Sequence, residues 1–358
     1  MRIGILTFHC ANNFGAALQA YALSKYLSIN HEVYIIDYKP LYLYKTTYFF
    51  PILQDFKRKP IRSVKTTLKS IFNCKDKLEM LEKFSNFRQN YLPLYKLKNN
   101  IDITGFDTII VGSDQVWNIE ITEGFDPYFW GDKIPSKTKL ISYAASTGRY
   151  IFNKNEIEIV KKKISKFSAI SVRENNIKVF LSNIVHKDIK FVLDPTFLID
   201  KDIYIKLCGE RPICSQKYVL IYEVVHDKNT ERIAIELAKQ LGVKIIRIGS
   251  KAKDNRIKSV INLGPKEFIN YIYYSSFIIT TSFHGTAFSI ILNKDFYTIN
   301  LCNKIDDRSL TLLKSVNLED RYINNLSTPS VKKINYQVVN MQIEELVKNS
   351  QNYLNNNI

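Results

Sequence analysis

The stretch Phe277-Ile278-Ile279-Thr280-Thr281-Ser282-Phe283-His284-Gly285-Thr286-Ala287 puts a histidine where a histidine can do chemistry. An apolar run of strand length ends in Ser-Phe-His-Gly, and an apolar-periodic stretch from Ala287 to Leu292 follows at once. The pattern reads as a buried strand, a tight turn and a helix start. In an open parallel sheet such a turn lies at the carboxyl ends of the strands, where ligands bind. An imidazole there can move protons near neutral pH, although a packed or capping histidine would leave the same pattern. Gly285 removes a Cβ at the turn, and the helix N-terminus behind it offers unpaired N–H groups to an anion. Ser282, His284 and Gly285 form the first candidate group.

Other polar residues stand at similar places. Arg173, in Ser171-Val172-Arg173-Glu174, follows a strand and carries a planar, permanently charged guanidinium suited to carboxylate or phosphate. A surface role with Glu174 is the alternative, but neighbours on a strand point to opposite faces, so these two are not expected to pair. Asp114, with Ser113 and Asn118 in Gly112-Ser113-Asp114-Gln115-Val116-Trp117-Asn118, could bind a sugar hydroxyl, act as a base, or cap its turn. Trp117 could stack on a sugar ring or lie in the core. Asn13 and Gly15, in the loop after the first strand, could hold an anion or a hydroxyl, or serve as helix caps. Ser146 and Arg308 complete the candidate set, and His9 occupies the first strand-end loop.

These groups need elements to position them. Arg2 to Phe8, Val33 to Ile36, Thr108 to Val111, Leu140 to Ala144 and Ala169 to Val172 read as strands, with a helix over Ala16 to Leu27. Pro40 to Asn99 changes to Tyr- and Lys-rich segments at helical spacing, a helical arm whose aromatics pack on the first domain. A second series runs from Tyr218, with strands at Tyr218–Glu223, Val243–Ile248, Phe277 onward and Phe296–Ile299, the last clear one. A final helix spans Ile334 to Leu354. The alternation implies the α/β class with two Rossmann-like domains facing across a cleft. The expected division is 1–205, with the arm at about 40–100, and 206–358, with the His284 turn and the final helix.

Composition narrows the function classes. At 358 residues and 46% hydrophobic, the chain can build two cores. Ile3 to Phe8 is too short for a signal-peptide core, and no segment reaches an uninterrupted bilayer span, so a cytoplasmic protein is expected. Five scattered cysteines without a CxxC pair support neither a disulfide framework nor a zinc cage, and no metal or cofactor is expected. GxGxxG, GxSxG, HExxH and GxxxxGK[ST] are absent. The net charge of +17 fits a solvated basic surface, anionic substrates, or peripheral association with the inner face of a membrane carrying lipid-linked substrates. No nucleic-acid-binding motif accompanies it.

The ordered set Asn13-Phe14-Gly15-Ala16-Ala17-Leu18-Gln19, Val111 to Asn118, Ser142-Tyr143-Ala144-Ala145-Ser146, Ser171 to Glu174, Leu193-Asp194-Pro195-Thr196 and Ser282 to Gly285 resembles the polysaccharide pyruvyl transferase family. The resemblance implies a GT-B-like fold and transfer of pyruvate from phosphoenolpyruvate onto two sugar hydroxyls as a cyclic ketal. It also implies that His284 and Arg173 are the family's histidine and arginine. The acceptor, a nucleotide sugar or a lipid-linked oligosaccharide, would lie on the side of residues 1–205 and the donor on the side of 206–358. Ser282 stands where members often have an arginine, which shifts anion binding toward Arg173, Arg308 or a lysine. A nucleotide-sugar glycosyltransferase and a non-catalytic glycan-binding protein are the alternative readings of the same cleft.

Overall fold

The first sheet is assembled from β1 (Arg2–Leu6), β2 (Glu32–Ile36), β3 (Leu94–Tyr95), β4 (Thr108–Val111) and β5 (Lys139–Ser142), in the order β3-β2-β1-β4-β5. The computed structural model describes residues 1–97, 103–301, 307–324 and 329–358. All neighbouring strands are parallel, and Ile3 lies opposite both Val33 and Thr108. β6 (Ile170–Val172) and β7 (Ile189–Phe191) pair with each other and continue this edge through the bridges Ile141–Ala169 and Ala145–Val172.

The second sheet contains β8 (Tyr218–Tyr222), β9 (Lys244–Ile248), β10 (Ile257–Val260), β11 (Phe277–Thr280), β12 (Phe296–Asn300) and β13 (Tyr322–Asn324). Its order is β10-β9-β8-β11-β12-β13, again with parallel pairs. β4, β8 and β11 are buried along their whole length, which is why they read as continuous apolar runs rather than alternating ones. In each sheet the strand order turns back at its first strand, β1 or β8. That reversal opens a crevice at the carboxyl ends, the usual ligand position of a Rossmann-like sheet. The expected α/β fold with two Rossmann-like halves is what the chain adopts. β3, inside the stretch expected to be helical, β10 and β13 were not anticipated, and Phe296–Asn300 is not the last strand, because β13 is short and partly exposed and carries no apolar run.

The helical arm is present as helices Leu41–Tyr44, Leu53–Arg58, Pro60–Phe72 and Cys74–Tyr91. It touches more than the first sheet. Phe84 of the last arm helix stacks on Phe14 (centroids 5.4 Å apart), and Phe14 stacks in turn on Phe268 of the second half at 4.6 Å. Lys83 Nζ donates to the Asn262 carbonyl at 2.7 Å. The helix Tyr336–Asn357 joins the halves at another place. Its first residue, Tyr336, donates to the Ser289 carbonyl, whereas near its end Ser350 Oγ accepts from the Leu193 amide and Tyr353 donates to the Ser142 carbonyl.

Candidate active site

Two helix N-termini, one from each sheet, meet at the centre of the molecule. After β1 the chain turns into the helix Phe14–Leu27, capped by Asn13, whose Oδ1 accepts from the Ala16 amide at 3.0 Å. After β11 it turns into the helix Phe283–Ile291, capped by Ser282, whose Oγ accepts from the Gly285 amide at 3.4 Å. Thr280 Oγ1 pins the second turn by donating to the Tyr222 carbonyl and accepting from the Ser282 amide. A Cβ on Gly285 would run into that same hydroxyl, so the turn requires glycine. Between the two N-termini lies a cavity of about 290 Å³ whose lining includes Asn13, Asp114, Tyr222, Ser282, His284 and Arg308. The first-turn amides and the helix dipoles favour an anion there.

His284 forms part of this wall and is 8% exposed. Its ring rests on Gly15 of the opposite half, so closely that a Cβ at Gly15 would overlap the imidazole. Its Nε2 lies 3.7 Å from Asp194 Oδ2, a charge contact longer than a hydrogen bond, and is buried without a hydrogen-bond partner among the described residues. Asp194 is locked in place. Oδ1 accepts from the Thr196 amide and hydroxyl at 3.1 and 2.9 Å, and Oδ2 accepts from Arg173 at 2.6 Å and from Ser113 at 3.3 Å. Burial alone would raise its pKa, but His284, Arg173 and the Thr196 amide outweigh burial and hold it well below the usual carboxylate range. A fixed negative charge therefore faces the imidazole.

Arg173 sits inside a cage of acids. Its Nη1 donates to Asp194, Nη2 donates to Asp114 at 3.1 Å, and Nε lies 3.5 Å from Glu174. The guanidinium also lies 4.9 Å from the centre of the Phe283 ring. Burial opposes its charge, yet the three carboxylates overcome this and raise its pKa further. This corrects two expectations. The guanidinium is enclosed and already engaged by carboxylates, so it is not presented to a substrate anion. It also does approach Glu174, because β6 ends at Val172 and Glu174 is the cap residue of the next helix, where strand alternation no longer applies.

The remaining sequence candidates separate into two groups. Asn13, Asp114, Ser282, His284 and Arg308 line the cavity, and Gly15 seats the histidine. Ser113, Asn118 and Ser146 do not line it. Ser113 is fully buried and supports Asp194, Asn118 braces its own turn through Gln115 and the Glu120 amide, and Ser146 donates to Glu174 at 2.5 Å. Trp117 is a core residue stacked on Trp130 rather than a sugar platform. His9 is buried and held between the Thr7 carbonyl and Asp37.

The sequence profile of the polysaccharide pyruvyl transferases matches residues 13–303. The chain belongs to that family. Membership makes the protein a transferase of polysaccharide biosynthesis, and the matched span includes both helix N-termini and the whole Arg173 cage. No curated protein matches the chain significantly. Among solved structures it is similar to S. aureus MnaA with UDP, at 12% identity and TM-score 0.47, over 98% of this chain and 89% of that one. Methanocaldococcus jannaschii UDP-GlcNAc 2-epimerase aligns at 13% identity and TM-score 0.47, covering 97% and 93%. E. coli heptosyltransferase WaaC with ADP aligns at 9% and 0.41, covering 97% and 100%.

In this pyruvyl transferase family member, the residue that sequence reading passed over is Asp194. The motif Leu193-Asp194-Pro195-Thr196 was visible, but its aspartate read as the end of a strand series rather than as a partner of His284. The available signal was an acid before proline at a strand end, which makes Asp194 both a cap for Thr196 and an inward-facing carboxylate. Tyr222, at the end of β8, also lines the cavity, and burial pushes its phenol up to about 12, so it stays a neutral hydroxyl.

Proposed function

We propose that the protein transfers pyruvate from phosphoenolpyruvate to two hydroxyls of a sugar, forming a cyclic ketal in surface-polysaccharide biosynthesis. The observation that carries this reading is the position of His284, a buried imidazole backed by Asp194, in the wall of a cavity onto which two helix N-termini and Arg308 converge. Phosphoenolpyruvate carries a carboxylate and a phosphate. The helix N-termini, with Arg308, supply what such a donor needs. At about 290 Å³ the cavity is at the small end of ligand sites, which suits a small anion and the edge of one sugar ring.

In the proposed reaction His284 acts as general acid and base, a role worth ~10²–10⁴-fold in rate. Proton delivery to the methylene carbon makes C2 electrophilic, and one sugar hydroxyl adds there and gives up its proton. Phosphate then leaves with the C2–O bonding pair, and the second hydroxyl closes the ketal and loses its proton. One phosphoenolpyruvate and one diol thus give one ketal and one inorganic phosphate. Asp194 orients the ring and offsets its charge when it carries a proton. Arg173 is a positioning residue that holds Asp114 and Asp194 in a fixed arrangement. The acceptor lies against the first half, by Asn13 and Asp114.

The test is a thermal-shift titration with phosphoenolpyruvate beside UDP-, GDP- and CMP-sugars, followed by phosphate release with candidate acceptors. The expected result is saturable stabilisation by phosphoenolpyruvate that weakens in Arg308→Ala, together with release that is lost in His284→Ala. Absence of any phosphoenolpyruvate-dependent stabilisation and phosphate release, or undiminished release in His284→Ala, would overturn the assignment.

A further inference from the structure

The arm helix Pro60–Phe72 is amphipathic in the reverse sense to a normal surface helix. Ile61, Val64, Leu68, Ile71 and Phe72 recur at i, i+3, i+7, i+10 and i+11, which is one face of an α-helix. That face is exposed, reaching 73% at Ile61 and 83% at Phe72. The side turned to the protein holds Ser63 and Ser70, each 4% exposed, and Ser70 Oγ accepts from Lys77 Nζ at 2.7 Å. A soluble helix buries its apolar stripe and shows its polar one.

The charges around the stripe indicate what covers it. Between Asp55 and Asn73 the chain carries Lys57, Arg58, Lys59, Arg62, Lys65 and Lys69 and no acidic residue. Arg62, Lys65 and Lys69 share the flank next to the apolar face. A second copy of this helix would bring like charges together at a two-fold contact, whereas an anionic headgroup layer over hydrocarbon complements both features. Among the described residues no helix is long and apolar enough to cross a membrane. We propose that helix Pro60–Phe72 lies in the headgroup region of an anionic bilayer and docks the protein on it.

The arm also connects this surface to the catalytic cavity. A second cavity of about 620 Å³, walled by Tyr42, Tyr48 and Phe50 among others, shares Thr46 and Ile121 with the catalytic cavity. Its lining also includes Arg62, Ser63 and Thr66 of the docking helix. This arrangement directs an acceptor held at the membrane surface toward His284; that consequence rests on the proposed pyruvyl transfer, while the docking itself does not.

The experiment is co-sedimentation of the full chain with phosphatidylcholine vesicles, with and without phosphatidylglycerol. The wild type is expected to bind only the anionic vesicles, and Leu68→Glu/Ile71→Glu is expected to weaken binding by about tenfold or more. Lys65→Gln and Lys69→Gln should each cost about fivefold. All three variants change exposed positions, so an unaltered unfolding midpoint checks the fold. Absence of wild-type binding would overturn the proposal. So would binding that survives the double Glu change, which would be adsorption by net charge alone, or a wild-type dimer that this change converts to monomer. A failed phosphoenolpyruvate titration would leave the vesicle result standing.

Discussion

His284 is held in place by a residue that has no side chain. Because the imidazole occupies the space where a Gly15 Cβ would lie, Gly15→Ala must displace the ring, although it adds a single methyl. The expected outcome is a fall in turnover of ~10²-fold from the misplaced acid–base group, with ~1–3 kcal/mol of overpacking cost. Phosphate release and thermal unfolding measure the two effects separately, and normal turnover would show that the ring is not needed at that spot. The two arginines should behave in opposite ways. Arg173→Ala strands Asp114, Glu174 and Asp194 around an empty space and is expected to cost about 3–5 kcal/mol, so its main defect is stability. Arg308→Ala should act mainly on the donor, weakening stabilisation by phosphoenolpyruvate. A stable Arg173→Ala protein with selectively weaker donor binding would reverse this assignment.

At the scale of elements, the two caps differ in a measurable way. Asn13 makes a normal 3.0 Å bond to the Ala16 amide, whereas Ser282 reaches Gly285 at 3.4 Å. Loss of an N-cap costs ~0.5–2 kcal/mol, so Asn13→Ala should fall higher in that range than Ser282→Ala; equal midpoints for the two in urea would contradict it. The same elements show what a sequence can convey. Strands such as Thr108–Val111 and Phe277–Thr280 were legible because burial on both faces leaves an unbroken apolar run. β13 left no such trace, since it is partly exposed and lies at the end of the sheet beside β12. Strand-end polar residues were legible as a set, but their roles were not. Ser146 faces Glu174 across 28 positions and Ser113 faces Asp194 across 81. Local spacing does not reveal whether such a hydroxyl points to a cavity or to a buried acid. Arg173 was legible as a strand-end cation, but the three carboxylates that enclose it were not, for the same reason.

At the scale of the whole molecule, the site exists only because the two halves are held together. Phe14 is stacked between the arm and the second half, the helix Tyr336–Asn357 reaches back to Leu193 and Ser142, and Asp194 and His284 come from opposite sides of that junction. The junction should therefore respond to acid. Asp194, beside His284 and Arg173, and Asp37, hydrogen-bonded to His9 and Lys39, both have depressed pKa values in the folded chain despite burial. In the unfolded chain such carboxyls titrate near ~3.9. As pH falls through that value the unfolded state takes up protons that the folded state refuses, so stability, fully present above it, declines toward the depressed folded value. The urea midpoint is expected to be flat from about pH 7 to 5 and to drop below about pH 4. The net charge of +17 pushes the same way, because protonating acids adds to self-repulsion. Asp37→Asn separates the two causes. It removes one depressed carboxyl while changing the total charge little, so its midpoint should start lower and fall less steeply than that of the wild type. Parallel curves for the two proteins would assign the acid sensitivity to overall charge and not to these buried pairs.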